Sequence, residues 1–389
     1  MRRVFLWSIM VLALGGMLAG IAVARDLDPQ TEEWMQQAKL GPYAEPTLYE
    51  LALEEGEVTI YSYTSRIHEV GRLFMERYPG ITANTYDMDS PEIISRVMEE
   101  QRARQYRADL IWLKDPPTAY FEMYVPGIIH NWVPPHVAHL IPEELQEPLM
   151  RIHHASLSAW FYNNEVYDES PVTNMWDLTT DEWRGNVVLP DIVLLTEYIA
   201  TFGSIVYHAD EMEQAYVRRF GEEIELSPGI ENAGWEWIYR VLQNDPLIVR
   251  TTHEVTEVVG EPGQVSPPVG LSAFSRLRDL ERWPEQRFDV AWEMADPVFA
   301  FLHTNVHGFV RYAPNPNAAK LFLQFQLGDD YDFTGNTPYQ VLGNWLVRRD
   351  GPVPEGAPPL DEVDFWDFDV EWVWDHYVEI VDFWTLHRP

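Results

Sequence analysis

Cysteine is absent from the 389 residues. Its absence excludes disulfides, thiolate metal sites, cysteine nucleophiles and lipid attachment through an N-terminal cysteine. Lysine is nearly absent too: it occurs at Lys39, Lys114 and Lys320, and every other cation is an arginine. Basic charge as a whole is scarce, with 27 basic against 62 acidic residues and a formal charge of −35. Phosphate binding needs clustered Lys and Arg, so this balance argues against nucleic acid as a partner. No G-x-S-x-G elbow, P-loop or Rossmann glycine fingerprint is present. Beyond the N terminus no apolar run approaches transmembrane length.

The acidic residues are spread along the whole chain, which reads as a solvated acidic surface and not as an acidic tail. We read that surface as an adaptation to salty surroundings, where a Debye length of roughly 3 Å at 1 M salt screens the self-repulsion. In so acidic a chain no carboxylate pair stands out as catalytic. The start, "MRRVFLWSIMVLALGGMLAGIAVARD", puts Arg2 and Arg3 before an apolar run that ends at Ala22-Val23-Ala24, a small-x-small pattern. Residues 1–24 are therefore expected to be a signal peptide, with 25–47 as a polar lead-in. "RRVFL" also resembles a twin-arginine signal, and the run is long enough to be kept as an anchor. Each variant exports the chain.

From there strand-like and helix-like segments alternate. Val58–Tyr61, Ile81–Tyr86 and "ADLIWL" read as strands, and Ile67–Tyr78 and Pro91–Gln105 as helices. This βαβαβ order predicts a parallel sheet, with ligands beyond the carboxyl ends of its strands. "SLSAWFYNNEVY" reads as a strand, and a second α/β unit follows through "NVVLPD", "PLIVRTTHEV" and "PPVGLSAFSRLRDLE". "DPVFAFLHTNVHGFVRY" reads as one long strand, "NPNAAKLFLQFQLG" as an amphipathic helix and "DFDVEWVWDHYVEIVDFW" as an aromatic terminal helix. The aromatic spacing in "GWEWIYRV" and "VEWVWDHY" is that of core-facing helices.

Five apolar runs break into small polar residues at strand ends: Thr64-Ser65-Arg66, Lys114-Asp115, Asp191, Thr251-Thr252-His253 and Ser272-Ala273-Phe274-Ser275. One such cluster is a turn; five, in two successive units, predict a single cleft lined from both sides. The site expected from sequence comprises Thr64, Ser65, Arg66, Lys114, Asp115, Asp191, Thr251, Thr252, His253, Ser272 and Phe274. No metal site is expected. His303 and His307 have chelating helical spacing but sit in a strand, where four residues separate them by roughly 13 Å. His153 and His154 are neighbours whose side chains are expected to diverge.

Segments such as "LYELALEEGEVTIYSYTSRIHEVGRLFMERYPGI", "EIISRVMEEQRARQYRADLIWLKDPP", "WFYNNEVYDESPVTNMWDLTTDEWRGNVVLPD" and "HGFVRYAPNPNAAKLFLQFQLG" resemble, in this order, the periplasmic solute-binding proteins of ABC importers, of the type that includes ferric-ion-binding proteins. "YQVLGNWLVRRDGP" resembles the family's closing segment. The resemblance implies an α/β, two-lobed periplasmic binding fold of type II. Lobe one would comprise 48–162 and 298–389, lobe two the inserted 163–297, and crossover strands would join them. It also implies capture of a small-molecule solute by a monomer in the periplasm, without a cofactor or catalysis, and delivery to an ABC permease. Presentation of the bound state to a membrane sensor is the alternative. Iron-binding members use a tyrosine pair that corresponds here to Ala273 and Phe274, so ferric ion would need other ligands. Hydroxyls, Arg66, a helix N terminus and Lys114 suit an anionic or carboxylate-bearing ligand instead.

Overall fold

The computed structural model describes residues 28–38, 48–292, 294, 296–328 and 332–389. The expected signal peptide and most of the lead-in lie outside the described residues. Thirteen strands are described: β1 Glu57–Ser62, β2 Thr82–Asp87, β3 Leu110–Leu113, β4 Ile129–His130, β5 His154–Tyr162, β6 Val187–Pro190, β7 Leu247–Val249, β8 Val269–Ala273, β9 Asp289–Val290, β10 Ala300–Thr304, β11 Val306–Val310, β12 Asn344–Leu346 and β13 Phe365–Trp366.

The first lobe is built as the alternation predicts. In β1, Val58 and Ile60 are buried while Glu57 is exposed. The helix Arg66–Arg77 then buries Ile67, Val70, Gly71 and Phe74, one stripe at helical spacing. Gly71 marks where that helix crosses β2, since a Cβ there would meet the Thr85 methyl at 2.8 Å. Asp89 caps the helix Ser90–Ala103 by accepting the Glu92 N–H. The sheet runs β2-β1-β3-β11-β4, parallel through its first three strands and antiparallel at β11 and β4.

The second sheet runs β13-β10-β5-β8-β6-β7, with β9 and β12 also paired to β5. Its β8-β6-β7 portion is parallel and carries the helix Thr252–Val259, while the helix Glu197–Tyr207 packs on β10 and on the helix Ala233–Gln243. Trp235 and Trp237 of the latter helix are buried, as their spacing requires.

Two segments connect the lobes side by side. Met150 bridges to His307, and Ala155 of β5 pairs with Thr304 of β10. The stretch expected to be one strand from Pro297 onward is therefore two. It breaks at Asn305, where the chain leaves the second sheet as β10 and enters the first as β11.

The terminal helix is also divided, into Val370–Asp375 and Tyr377–His387, at His376, whose ring bonds the Trp372 carbonyl at 2.8 Å. Sequence groups this region with lobe one, but its contacts reach both lobes. Trp384 and Phe383 pack on Phe202 and Trp235 of the second lobe. On the other side Tyr120 donates to Glu371 at 2.9 Å and Phe121 stacks on Trp374 at 4.8 Å. Trp372 and Trp374 stay half-buried because they sit in this seam. Among the described residues no helix is long and apolar enough to cross a membrane.

Candidate functional site

A cleft of about 310 Å³ lies between the lobes, walled by both crossover segments. Its first-lobe wall is the turn after β1. Ser62 Oγ accepts the Thr64 N–H at 3.3 Å, Thr64 Oγ1 accepts the Arg66 N–H at 3.4 Å, and the carbonyls of Thr64 and Ser65 take the N–H groups of Ile67 and His68. The chain thus enters its helix with Ser65 at the N-cap, yet the Ser65 side chain makes no capping bond. Tyr63, Thr64, Ser65 and Arg66 line the cleft. Arg66 lies over the Tyr339 ring at 5.6 Å, and no carboxylate pairs with it among the described residues.

Lys114, directly after β3, crosses to the second lobe. Its Nζ meets Glu197 Oε1 at 3.0 Å, at the first turn of the helix Glu197–Tyr207. Burial pushes the Glu197 carboxyl up, but the Lys114 ammonium and backbone N–H groups outweigh it, so the net direction is down. This ion pair ties the lobes across the cleft wall.

The second-lobe wall is the end of β8 and the turn beyond it. Arg276 Nε donates to Thr252 Oγ1 at 2.9 Å, and its Nη1 reaches Asp279 at 3.3 Å. Arg278 Nε lies 3.9 Å from the same carboxylate. Burial lowers the Arg278 pKa to about 10, helped by the like charges of Arg66 and Arg276. Four cations thus converge from both lobes on one cleft of a strongly acidic chain.

The crossover floor is polar. Ser156 donates to Asn344 at 2.8 Å, Ser158 to the Tyr198 hydroxyl at 3.1 Å, and His303 pairs with Thr201 at 3.1 Å. Three phenols, Tyr63, Tyr198 and Tyr339, line the walls, and burial pushes each of them up, which keeps them protonated donors.

Of the residues expected from sequence, the cleft brings together Thr64, Ser65, Arg66, Lys114 and Thr252, along with Ala273 and Ser275. The others serve the framework. Asp115 is buried and caps Pro116–Thr118 through the Thr118 N–H and hydroxyl. Asp191 pairs with Arg388 at 3.1 Å. Thr251 caps the helix Thr252–Val259. His253 bonds Asp279 at 3.1 Å and stacks on Trp283. Ser272 is buried and donates to the Thr252 carbonyl at 2.8 Å. Phe274 points away from Ala273 into the core, against Trp292, Phe299 and Trp345. Gly343 makes that packing possible: its φ is +90°, and a Cβ would lie 2.7 Å from the Phe274 ring.

Sequence reading missed Arg276, Arg278, Glu197, Tyr339 and Asn344. The two arginines carried a usable signal, because cations are rare in this chain and these directly follow a strand-end cluster. Tyr339 and Asn344 carried none; only the fold brings them in from beyond the last long helix of the first lobe. The histidine reading also needs correction. His153 and His154 do not diverge: their Nδ1 atoms lie 2.7 Å apart, because the backbone at the start of β5 turns both rings onto Trp112. His307 stacks on the same indole, whereas His303 faces the cleft. Among the described residues no group of three or more His, Asp or Glu is arranged to hold a metal.

No protein-family model matches the chain, and no curated protein matches it. Solved structures do. Iron-bound HitA from Pseudomonas aeruginosa is 14% identical, with 84% of this chain and 97% of that chain covered and a TM-score of 0.63. The Trichodesmium protein IdiA (FutA), in complex with iron and citrate, is 16% identical, over 85% and 99%, with a TM-score of 0.62. The substrate-binding protein of an ABC transporter from Agrobacterium tumefaciens is 14% identical, over 87% and 97%, with a TM-score of 0.57. At these identities the likeness establishes architecture: two α/β lobes, two crossover segments and a cleft between them, the type II periplasmic binding fold.

Proposed function

We propose that this chain is an exported, non-enzymatic solute-binding protein that captures a small anionic or carboxylate-bearing ligand between its lobes and delivers it to an ABC import permease. The observation that carries this reading is the convergence of Arg66, Lys114, Arg276 and Arg278 on an interlobe cleft in a chain of net charge −35. Cations placed so selectively concentrate positive potential where it is otherwise absent. Cleft hydroxyls add neutral donors, and the fold supplies lobes that close on a ligand. The periplasmic location in this proposal is supported by the N-terminal apolar run and by the neighbours named above.

Mass spectrometry of small molecules released from natively purified protein tests the reading directly; an anion is expected, and a cation or an empty cleft would oppose it. Arg66→Ala should weaken binding at least about tenfold, because a charge-assisted hydrogen bond contributes roughly 1.5–3 kcal/mol. A ferric ion is the competing ligand. Ala273 and the core-facing Phe274 supply no phenolate, but Tyr63, Tyr198 and Tyr339 line the cleft. A visible tyrosine-to-iron absorption band with stoichiometric uptake of chelated ferric ion would favour it.

A further inference from the structure

The cleft's own carboxylates do not neutralise its cations. Lys114 is matched by Glu197 at 3.0 Å. Arg276 and Arg278 share one carboxylate, Asp279, at 3.3 and 3.9 Å, and His253 leans on that same group at 3.1 Å. Arg66 has no carboxylate partner among the described residues. Four cations less two carboxylates leaves a formal +2 at the walls.

The excess is divided between the lobes, with Arg66 on the first and the Arg276-Arg278 pair on the second. Arg66 is one of the charges that lower the Arg278 pKa, so the two walls repel each other across the cleft. The side chains of Arg276 and Arg278 are only 25% and 33% exposed, so solvent screens that repulsion incompletely. Beneath Arg66, the Tyr339 hydroxyl is buried without a hydrogen-bond partner, a donor left over by the protein's own network.

Resting on the anion-binding reading of this cleft, we propose that the ligand is at least a dianion, bridged between Arg66 on one lobe and Arg276 and Arg278 on the other. A monoanion leaves one guanidinium unmatched in a half-buried site. A dicarboxylate or a phosphate monoester matches both walls, and the guanidinium fork suits either group. Bridging also turns the repulsion between the walls into attraction through the ligand, which couples binding to closure. The cleft volume, near the lower end of the range for small-molecule pockets, limits the ligand to a compact molecule.

Two measurements test this. The first is the formal charge of the ligand released from native protein: two or more negative charges are expected, and one or none overturns the proposal. The second is calorimetric titration of wild-type protein at pH 8 with probes of similar size that differ by one charge, succinate against butyrate and methyl phosphate against dimethyl phosphate. Whichever dianion fits should bind at least tenfold more tightly than its partner, and the two pairs separate the carboxylate from the phosphate source. Arg66→Gln and Arg278→Gln should each reduce a dianion to the level of its monoanionic partner. Equal binding within both pairs, or a fitting dianion indifferent to Arg278→Gln, sinks the valence proposal. A released monoanion whose affinity still depends on Arg66 would overturn the valence alone and leave the solute-binding reading standing. A released cation or neutral molecule would remove both.

Discussion

Acid should destabilise this protein before its exposed carboxylates titrate, because four histidines are held neutral inside it. Burial lowers His154 and His307 to about 3 and His303 to about 4, and drives His153 well below the usual imidazole range. His153 and His154 touch through Nδ1, a contact in which one ring must donate and the other accept, so both cannot be imidazolium. Arg66 adds repulsion at His154; at His303 the Lys114 repulsion is opposed by Glu197. For a base whose pKa is depressed on folding, stability is complete above the unfolded value, about 6.5, and is lost as pH falls toward the folded one. At pH 5.5 each histidine then costs about 1.4 kcal/mol, and the four together about 5–6 kcal/mol relative to pH 7.5. Asp109 works in the opposite sense. Burial raises it to about 7 despite N–H donors from Thr59 and Asn315, so its contribution is largest in acid and offsets about 2 kcal/mol. Burial raises Asp115 too, in the same sense as Asp109, so the net loss is at most about 3–4 kcal/mol, a large share of the roughly 5–15 kcal/mol that a folded domain has. Unfolding at pH 5.5 should take up about three protons. Urea unfolding followed by tryptophan fluorescence at pH 5.5 and 7.5 measures the loss, and the histidine C–H resonances report each ring. Equal stability at the two pH values, or rings titrating near 6.5 in the folded protein, would refute the reasoning.

Three substitutions probe other parts of the argument. Phe274→Ala should cost about 3–5 kcal/mol of stability, since the ring is fully buried among three aromatic neighbours, while ligand affinity stays unchanged; chemical denaturation and calorimetry separate the two effects. Glu197→Gln removes a negative charge from the cleft wall and frees Lys114, so an anionic ligand should bind roughly five- to thirtyfold more tightly, from about 1–2 kcal/mol at an effective dielectric near 20; weaker binding would contradict the charge count. Trp374→Ala takes away the stack on Phe121 by which the terminal segment holds the first lobe, so hydrogen exchange should rise in Ala119–Tyr124 and Val370–Asp375 together. A rise confined to the terminal helices would show that they do not tie the lobes.

What the sequence determined by itself is local. The alternation at Val58–Tyr61 and the stripe Ile67, Val70, Phe74 specify a strand and a helix wherever they are placed, because side-chain periodicity is a property of consecutive residues. Succession of such units implies parallel pairing, and their place at the ends of strand-like runs singled out Arg66 and Lys114 before any fold was considered. Orientation across the cleft was decided by tertiary structure. Ala273 and Phe274 are neighbours in one cluster, yet the chain leaves β8 between them, and the helical turn that starts at Phe274 sends its ring to the core while Ala273 lines the cleft. Asp115 and Thr251 look like ligand groups in sequence, but short polar side chains at strand ends also cap helices, and only the helix start that follows shows which task is taken. Glu197, Arg278 and Tyr339 belong to the site because two lobes and a returning chain bring together residues far apart in sequence. The break at Asn305 has the same origin: one apolar run satisfies two sheets, and only the packing of two lobes sets where the strand must change partners.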